Sequence, residues 1–268
     1  MAAEVLMPTL YIPHGGGPCF FMDPPPAAPL LWDRMAAYLR ALTDGLPATP
    51  KAILVVSAHW ETSRPAVHAG VRPGLLFDYY GFPEHTFRLT YAAPGAPDLA
   101  VRTAELLAGA GFTTDLETER GWDHGVFIPL LLAAPEATIP VFEISILESL
   151  DPAAHLALGR ALAPLRAEGV LIIGSGLSYH NLRTFFGPAG DADSERFDAW
   201  LTGAVADPDR RDAALTAWSA APGARACHPR EEHLLPLMVA AGAAAGEAGV
   251  RDYSDHIMGK AVSGYRFG

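Results

Sequence analysis

Five histidines in this chain, His14, His59, His124, His180 and His233, stand at the edges of apolar runs beside glycine, serine or acidic residues. Imidazole binds metals and moves protons near neutral pH, so several of them at strand and helix ends point to one polar pocket.

Each has its own chemistry. His14 lies in Pro13-His14-Gly15-Gly16-Gly17-Pro18, where three glycines let the backbone pass close to a bound group, although a flexible turn with an incidental histidine explains that segment as well. His59 closes the apolar run Ile53 to Val56, and a histidine at the end of a buried strand needs polar partners that a plain core does not supply. Asp123-His124-Gly125 sets a carboxylate beside an imidazole where a helix starts: an N-cap aspartate accounts for Asp123, and His124 is expected to contact substrate or support a ligand. Gly174-Ser175-Gly176 lacks the spacing of a nucleophile elbow, which argues against a serine hydrolase and leaves His180 as the group for giving and taking a proton. Glu231 and Glu232 suit the first turn of a helix on dipole grounds alone, whereas Leu234, Leu237 and Met238 turn the face carrying His233 inward. His68, His155 and His256 are expected at the surface or satisfied in the core.

These residues need a scaffold. Apolar and β-branched runs alternate with helical stretches, the pattern of an α/β sheet rather than a bundle or sandwich. Strands are expected at Thr9 to Pro13, Ala52 to Ser57, Ala66 to Ala69, Thr86 to Leu89, Ile139 to Ile144, Val170 to Gly174 and Arg251 to Ile257. Helices are expected at Trp32 to Thr43, Asp98 to Ala110, Phe127 to Ala133, Pro152 to Glu168, Ser194 to Val205, Arg210 to Trp218 and Glu231 to Ala245. Asp151-Pro152 and Asp207-Pro208 read as N-caps followed by first-turn prolines. Three of the histidines follow expected strands closely, and the carboxyl ends of such strands are where open α/β sheets hold ligands.

The chain has 268 residues, enough for a full core, with no linker or internal repeat that divides it, so one domain over residues 1–268 is expected. A formal charge of −11 disfavours nucleic acid and anionic membranes as partners, because basic patches supply most of that attraction. No apolar stretch is long enough to span a bilayer, and the first ten residues lack a leader pattern. Cys19 and Cys227 form no CxxC pair and are expected as thiols, which fits a cytoplasmic protein. A homodimer is a base-rate expectation only.

Taken together, the segments resemble the class III extradiol ring-cleavage dioxygenases, in the branch that includes the 4,5-DOPA dioxygenases. The matching pieces are His14 to Pro18, Ser57-Ala58-His59-Trp60-Glu61, Asp78-Tyr79-Tyr80-Gly81-Phe82-Pro83-Glu84-His85, Arg120 to Gly125, Gly174-Ser175-Gly176 with His180-Asn181-Leu182, and His228 to Leu237. They run through nearly the whole chain in a consistent order.

The resemblance implies a single α/β domain with a central mixed β-sheet flanked by helices, and one metal held by His14, His59 and His233. It implies His180 as acid/base residue, with possible approach to the metal, His124 on the pocket wall, and His228 beside substrate or ligands. Tyr79, Tyr80, Phe82 and Trp122 are expected in an aromatic wall around the ring, although aromatics in such numbers are as often plain core. The cofactor is then Fe(II), with Zn(II) possible in the purified protein, and the partners are a small catechol and O2. Non-haem Fe(II) oxygenases typically use two histidines and a carboxylate, whereas the third position here is His233. Three neutral ligands leave the ion its full charge, which favours an anionic catecholate and equally admits zinc. Glu232 could replace His233, but adjacent helix positions point about 100° apart, so only one of the two binds. The rival functions are a zinc hydrolase on the same cluster and a non-catalytic binding member of the superfamily.

Overall fold

The computed structural model describes residues 5–268. Among them eight strands form one mixed sheet: β1 (Thr9–Pro13), β2 (Ala52–Thr62), β3 (Ala66–His68), β4 (Asp115–Glu117), β5 (Val141–Leu147), β6 (Val170–Gly176), β7 (Gly249–Ile257) and β8 (Lys260–Phe267). Their order across the sheet is β4-β3-β5-β2-β6-β1-β8-β7. The central four, β5, β2, β6 and β1, run parallel, and β8 and β7 close one side antiparallel. β1, β5 and β6 are buried along their whole length, as continuous apolar runs covered on both faces must be.

Helices cover the sheet: α1 (Asp33–Arg40), α2 (Pro97–Gly109), α3 (His124–Ala133), α4 (Pro152–Leu162), α5 (Pro164–Ala167), α6 (Asp191–Ala206), α7 (Arg211–Thr216), α8 (Ala224–Cys227) and α9 (Leu235–Ala243). The α/β architecture expected from the alternating runs is the one observed. No helix among the described residues is long and apolar enough to cross a membrane. Cys19 and Cys227 are buried free thiols.

Several expected boundaries are corrected. Thr86 to Leu89 is no strand: Glu84–Arg88 is a 3-10 turn after Pro83, whose carbonyl accepts from both the backbone and the hydroxyl of Thr86. The short polar edge strand β4 and the whole of β8 were not expected. β8 hides its periodicity behind Lys260, Gly264 and Arg266, yet Lys260 is fully buried, with its ammonium bonded to the Gly187 carbonyl and paired with Asp191. The single helix from Pro152 to Glu168 is broken at Ala163 because Pro164 lacks the N–H that would continue it. Asp151 caps α4 through the Ala153 N–H as expected, but α7 starts only at Arg211, with Asp207 accepting from the Asp209 and Arg210 backbones before it.

The correction that matters for the site concerns His233. The helix starts at Leu235, not Glu231, because Pro236 is tolerated only in the first turn. Glu232 and His233 therefore sit in a turn before α9, and the helical spacing argument that separated them does not apply.

Candidate metal centre

β6 lies between β1 and β2, so the carboxyl ends of these three strands are neighbours. Ser175 of β6 is in register with Ile12 on one side and Ser57 on the other. His14 follows β1 directly, and His59 lies in the irregular stretch of β2 between Ser57 and Glu61, where the pairing with β5 shifts register. A bulge of this kind re-aims a side chain, here over the strand ends.

Three imidazoles meet there. Ligand atoms of His14, His59 and His233 all lie within 4.8 Å of one another. The Nε2 atoms of His14 and His59 are 3.1 Å apart. Two nitrogens about 2.1 Å from a common ion and roughly at right angles to each other would stand about 3 Å apart, so the donor set fits a small divalent cation. Burial is the largest cause lowering the pKa of all three, with neighbouring imidazoles adding to it; His59 falls to about 4. All three are thus neutral near pH 7, with lone pairs free for a metal.

The tautomer of His14 follows from its neighbours. Ser175 donates its only hydroxyl proton to the Gly125 carbonyl (2.5 Å), so at 3.0 Å from His14 Nδ1 the hydroxyl oxygen must accept. Nδ1 then carries the proton and Nε2 the lone pair. Ser57 donates to Asp123 Oδ1, which also caps α3 through the Gly125 N–H, and Arg120 bonds both Asp123 Oδ2 and the His59 carbonyl. The start of α3 is in this way tied to the ends of β2 and β6.

His233 is brought in by close backbone approach. Its carbonyl would lie 2.1 Å from a Cβ on Gly176, and the same carbonyl accepts from Tyr11 Oη at 2.7 Å. Glu232 faces the Nδ1 edges of His180 and His233, and these three side chains also lie close enough together to hold an ion. The Glu232 Oε1 accepts from Nδ1 of both His180 (2.9 Å) and His233 (3.0 Å). Burial tends to raise the Glu232 carboxyl, but the His180 hydrogen bond and charge outweigh it and leave the pKa lowered.

His124 is held in the same manner by Asp78, whose Oδ1 accepts from its Nδ1 (2.8 Å) and its backbone N–H (3.0 Å). Burial opposes ionisation of Asp78, and the His124 contacts prevail, lowering its pKa. His124 and His180 share with the three candidate ligands a cavity of about 420 Å³.

Of the other expected residues Phe82 lines this cavity, whereas His228, Tyr79, Tyr80 and Trp122 do not. His228 is buried against Phe197 and Trp218, with Nε2 donating to the Ser178 carbonyl. Trp122 is buried beside Tyr91, its indole nitrogen without a partner among the described residues, and Tyr80 is 90% exposed. Sequence adjacency to a motif did not report the direction of these side chains. Conversely, no role was expected for Asp78, Ser175 or Glu143. Glu143 stands in the middle of β5, fully buried next to Asp123, and a lone acid in Val141-Phe142-Glu143-Ile144 was the visible signal.

The chain is similar to several known proteins. A "Dioxygenase tasH" of Hapsidospora irregularis is 37% identical over 278 residues, covering 98% of this chain and 86% of that protein. A "4,5-DOPA dioxygenase extradiol" of Portulaca grandiflora is 45% identical over 202 residues, 74% of each chain. A crystal structure of an uncharacterized protein from Escherichia coli K12 superposes with a TM-score of 0.74 at 32% identity, covering 98% of this chain and all of that one. Residues 8–267 match the family described as the catalytic LigB subunit of aromatic ring-opening dioxygenase. With a sheet that gathers histidines at its parallel strand ends and a match along nearly its full length, the chain belongs to the LigB family of class III extradiol dioxygenases.

Proposed function

We propose that this chain is a single catalytic domain that opens the ring of a catechol beside its diol, using O2 and Fe(II) held by His14, His59 and His233. The observation that carries the reading is the convergence of three neutral imidazoles, one with its tautomer set by Ser175, beside two further histidines whose Nδ1 atoms are engaged by carboxylates. When bound, the metal would acidify the catechol and hold both reactants together.

The chain's own residues do the rest. His180 is anchored through Nδ1 to Glu232, which leaves Nε2 to accept a proton from the second catechol hydroxyl and return it as the ring opens. His124 is anchored through Nδ1 to Asp78, which leaves its Nε2 to hydrogen-bond a substrate oxygen. In this reading His228, Trp122 and Tyr80 make no substrate contact, because none lines the cavity.

The test is anaerobic loading with Fe(II), followed by catechol, DOPA, caffeate or protocatechuate and oxygen. Oxygen uptake with a yellow ring-opened product is expected from at least one of them. Three imidazoles are also a zinc donor set, so turnover with Zn(II) alone and no oxygen uptake would instead support a hydrolase.

A further inference from the structure

Beyond its imidazoles the cavity is apolar. Met22, Leu31, Trp32, Phe82, Phe186 and Met258 contribute to its walls, and no lysine, arginine, aspartate or glutamate lines it among the described residues. Three arginines in or beside the matching segments, Arg120, Arg183 and Arg230, are engaged or turned away. Arg120 is bonded to Asp123 and the His59 carbonyl, Arg230 makes a two-pronged pair with Glu61, and Arg183 is exposed outside the cavity.

Nor do the histidines supply a spare positive charge. His14, His59 and His233 turn their ligand atoms on one another as the candidate metal set, and His124 and His180 are each matched to a carboxylate, Asp78 and Glu232. A carboxylate or ammonium on a bound molecule would lose its water without gaining a partner, which is strongly unfavourable. At the opening, Leu182 and Phe186 are 68% and 73% exposed while also lining the cavity, so the apolar surface continues outward as a lip. Exposed apolar surface continuous with a pocket marks where an apolar group is received.

We propose that the substrate is a neutral catechol bearing an alkyl or aryl substituent, whose apolar group lies along Phe82 and Trp32 towards the lip of Leu182 and Phe186. This rests on the ring-opening reading and narrows it. Catechols with an amino-acid or carboxylic-acid side chain, DOPA included, are then poor substrates.

The experiment compares three catechols of matched length: 4-propylcatechol, 3-(3,4-dihydroxyphenyl)propionate and dopamine. Oxygen uptake is measured with the Fe(II)-loaded protein, and binding by calorimetry on the same protein without oxygen. A kcat/KM for the propyl compound about tenfold or more above both charged ones is expected, with the same order in affinity. Phe186→Arg, at an exposed position, should shift the ratio of acid to propyl turnover about tenfold towards the acid, the size of a modest ion pair. Turnover of the acid or amine as good as that of the propyl compound would overturn the substrate class while leaving ring opening intact. Preferential binding of the propyl compound without oxygen uptake would keep the substrate class and overturn ring opening. Binding of none would overturn both.

Discussion

The ring of His180 is stacked on that of His233, centroids 3.4 Å apart and planes 17° from parallel, with both Nδ1 atoms turned to one oxygen of Glu232. A single carboxylate therefore orients a candidate ligand and the candidate acid/base together. Glu232→Ala is expected to weaken metal binding about 10- to 100-fold, the usual effect of losing a group behind a ligating histidine, and to lower turnover further through His180. Competition with a chelator measures the first effect and oxygen uptake at saturating metal the second. Unchanged metal affinity would show that Glu232 does not orient His233.

Ser175 acts on the other side of the site. Without its hydroxyl, His14 Nδ1 loses the acceptor that holds the proton there and the lone pair on Nε2. Ser175→Ala should weaken metal binding about tenfold or more while the fold persists. The same chelator titration, with circular dichroism as a check on folding, reads both.

Gly176 tests the close approach of β6 to the turn carrying His233. A methyl group there would meet the His233 carbonyl at 2.1 Å, with backbone rather than a flexible side chain in the way. Gly176→Ala should cost about 1–3 kcal/mol of stability, the usual price of overpacking, and displace His233 enough to reduce metal content. Thermal melting and elemental analysis check this, and a variant with native melting temperature and native metal content would contradict it.

Glu143 predicts a pH dependence. Burial first, and then the neighbouring Asp123 carboxylate, push its carboxyl well above the ordinary value of 4.5, so the folded protein keeps a proton that the unfolded chain releases. The stability from that proton is complete below about pH 4.5 and is lost as pH rises through the raised folded value. Glu143→Gln carries no such linkage. Its melting temperature relative to the native protein should rise between pH 5 and pH 8, and a constant difference would mean that Glu143 is ionised in the fold.

Much of this site was legible before the fold was known, for physical reasons that differ by residue. His14 directly follows β1, and His59 stands in β2 just past its apolar run Ile53 to Val56, so their positions at the sheet's carboxyl edge are readable from the runs before them. The placement of His233 beside them came from resemblance, and the helix assumed for it was wrong because Pro236 delays the helix start. The spacing around Ser175 argues only against a nucleophile and carries no sign that its hydroxyl orients His14. Glu232 and His180 are 52 positions apart, and no local pattern reports a hydrogen bond between them. Trp122 and His228 sit within matching motifs yet pack into the core, because a motif constrains residue type and not the face a side chain takes.

The most direct measurement is oxygen consumption by the Fe(II)-loaded protein with a catechol, run beside His14→Ala, His59→Ala, His233→Ala and His180→Ala with metal content determined for each. The account predicts that the native protein consumes oxygen as ring-opened product forms, that the first three variants lose metal and activity together, and that His180→Ala keeps metal while losing activity. Full metal content in all of the first three variants, or catechol turnover that persists without oxygen, would contradict it.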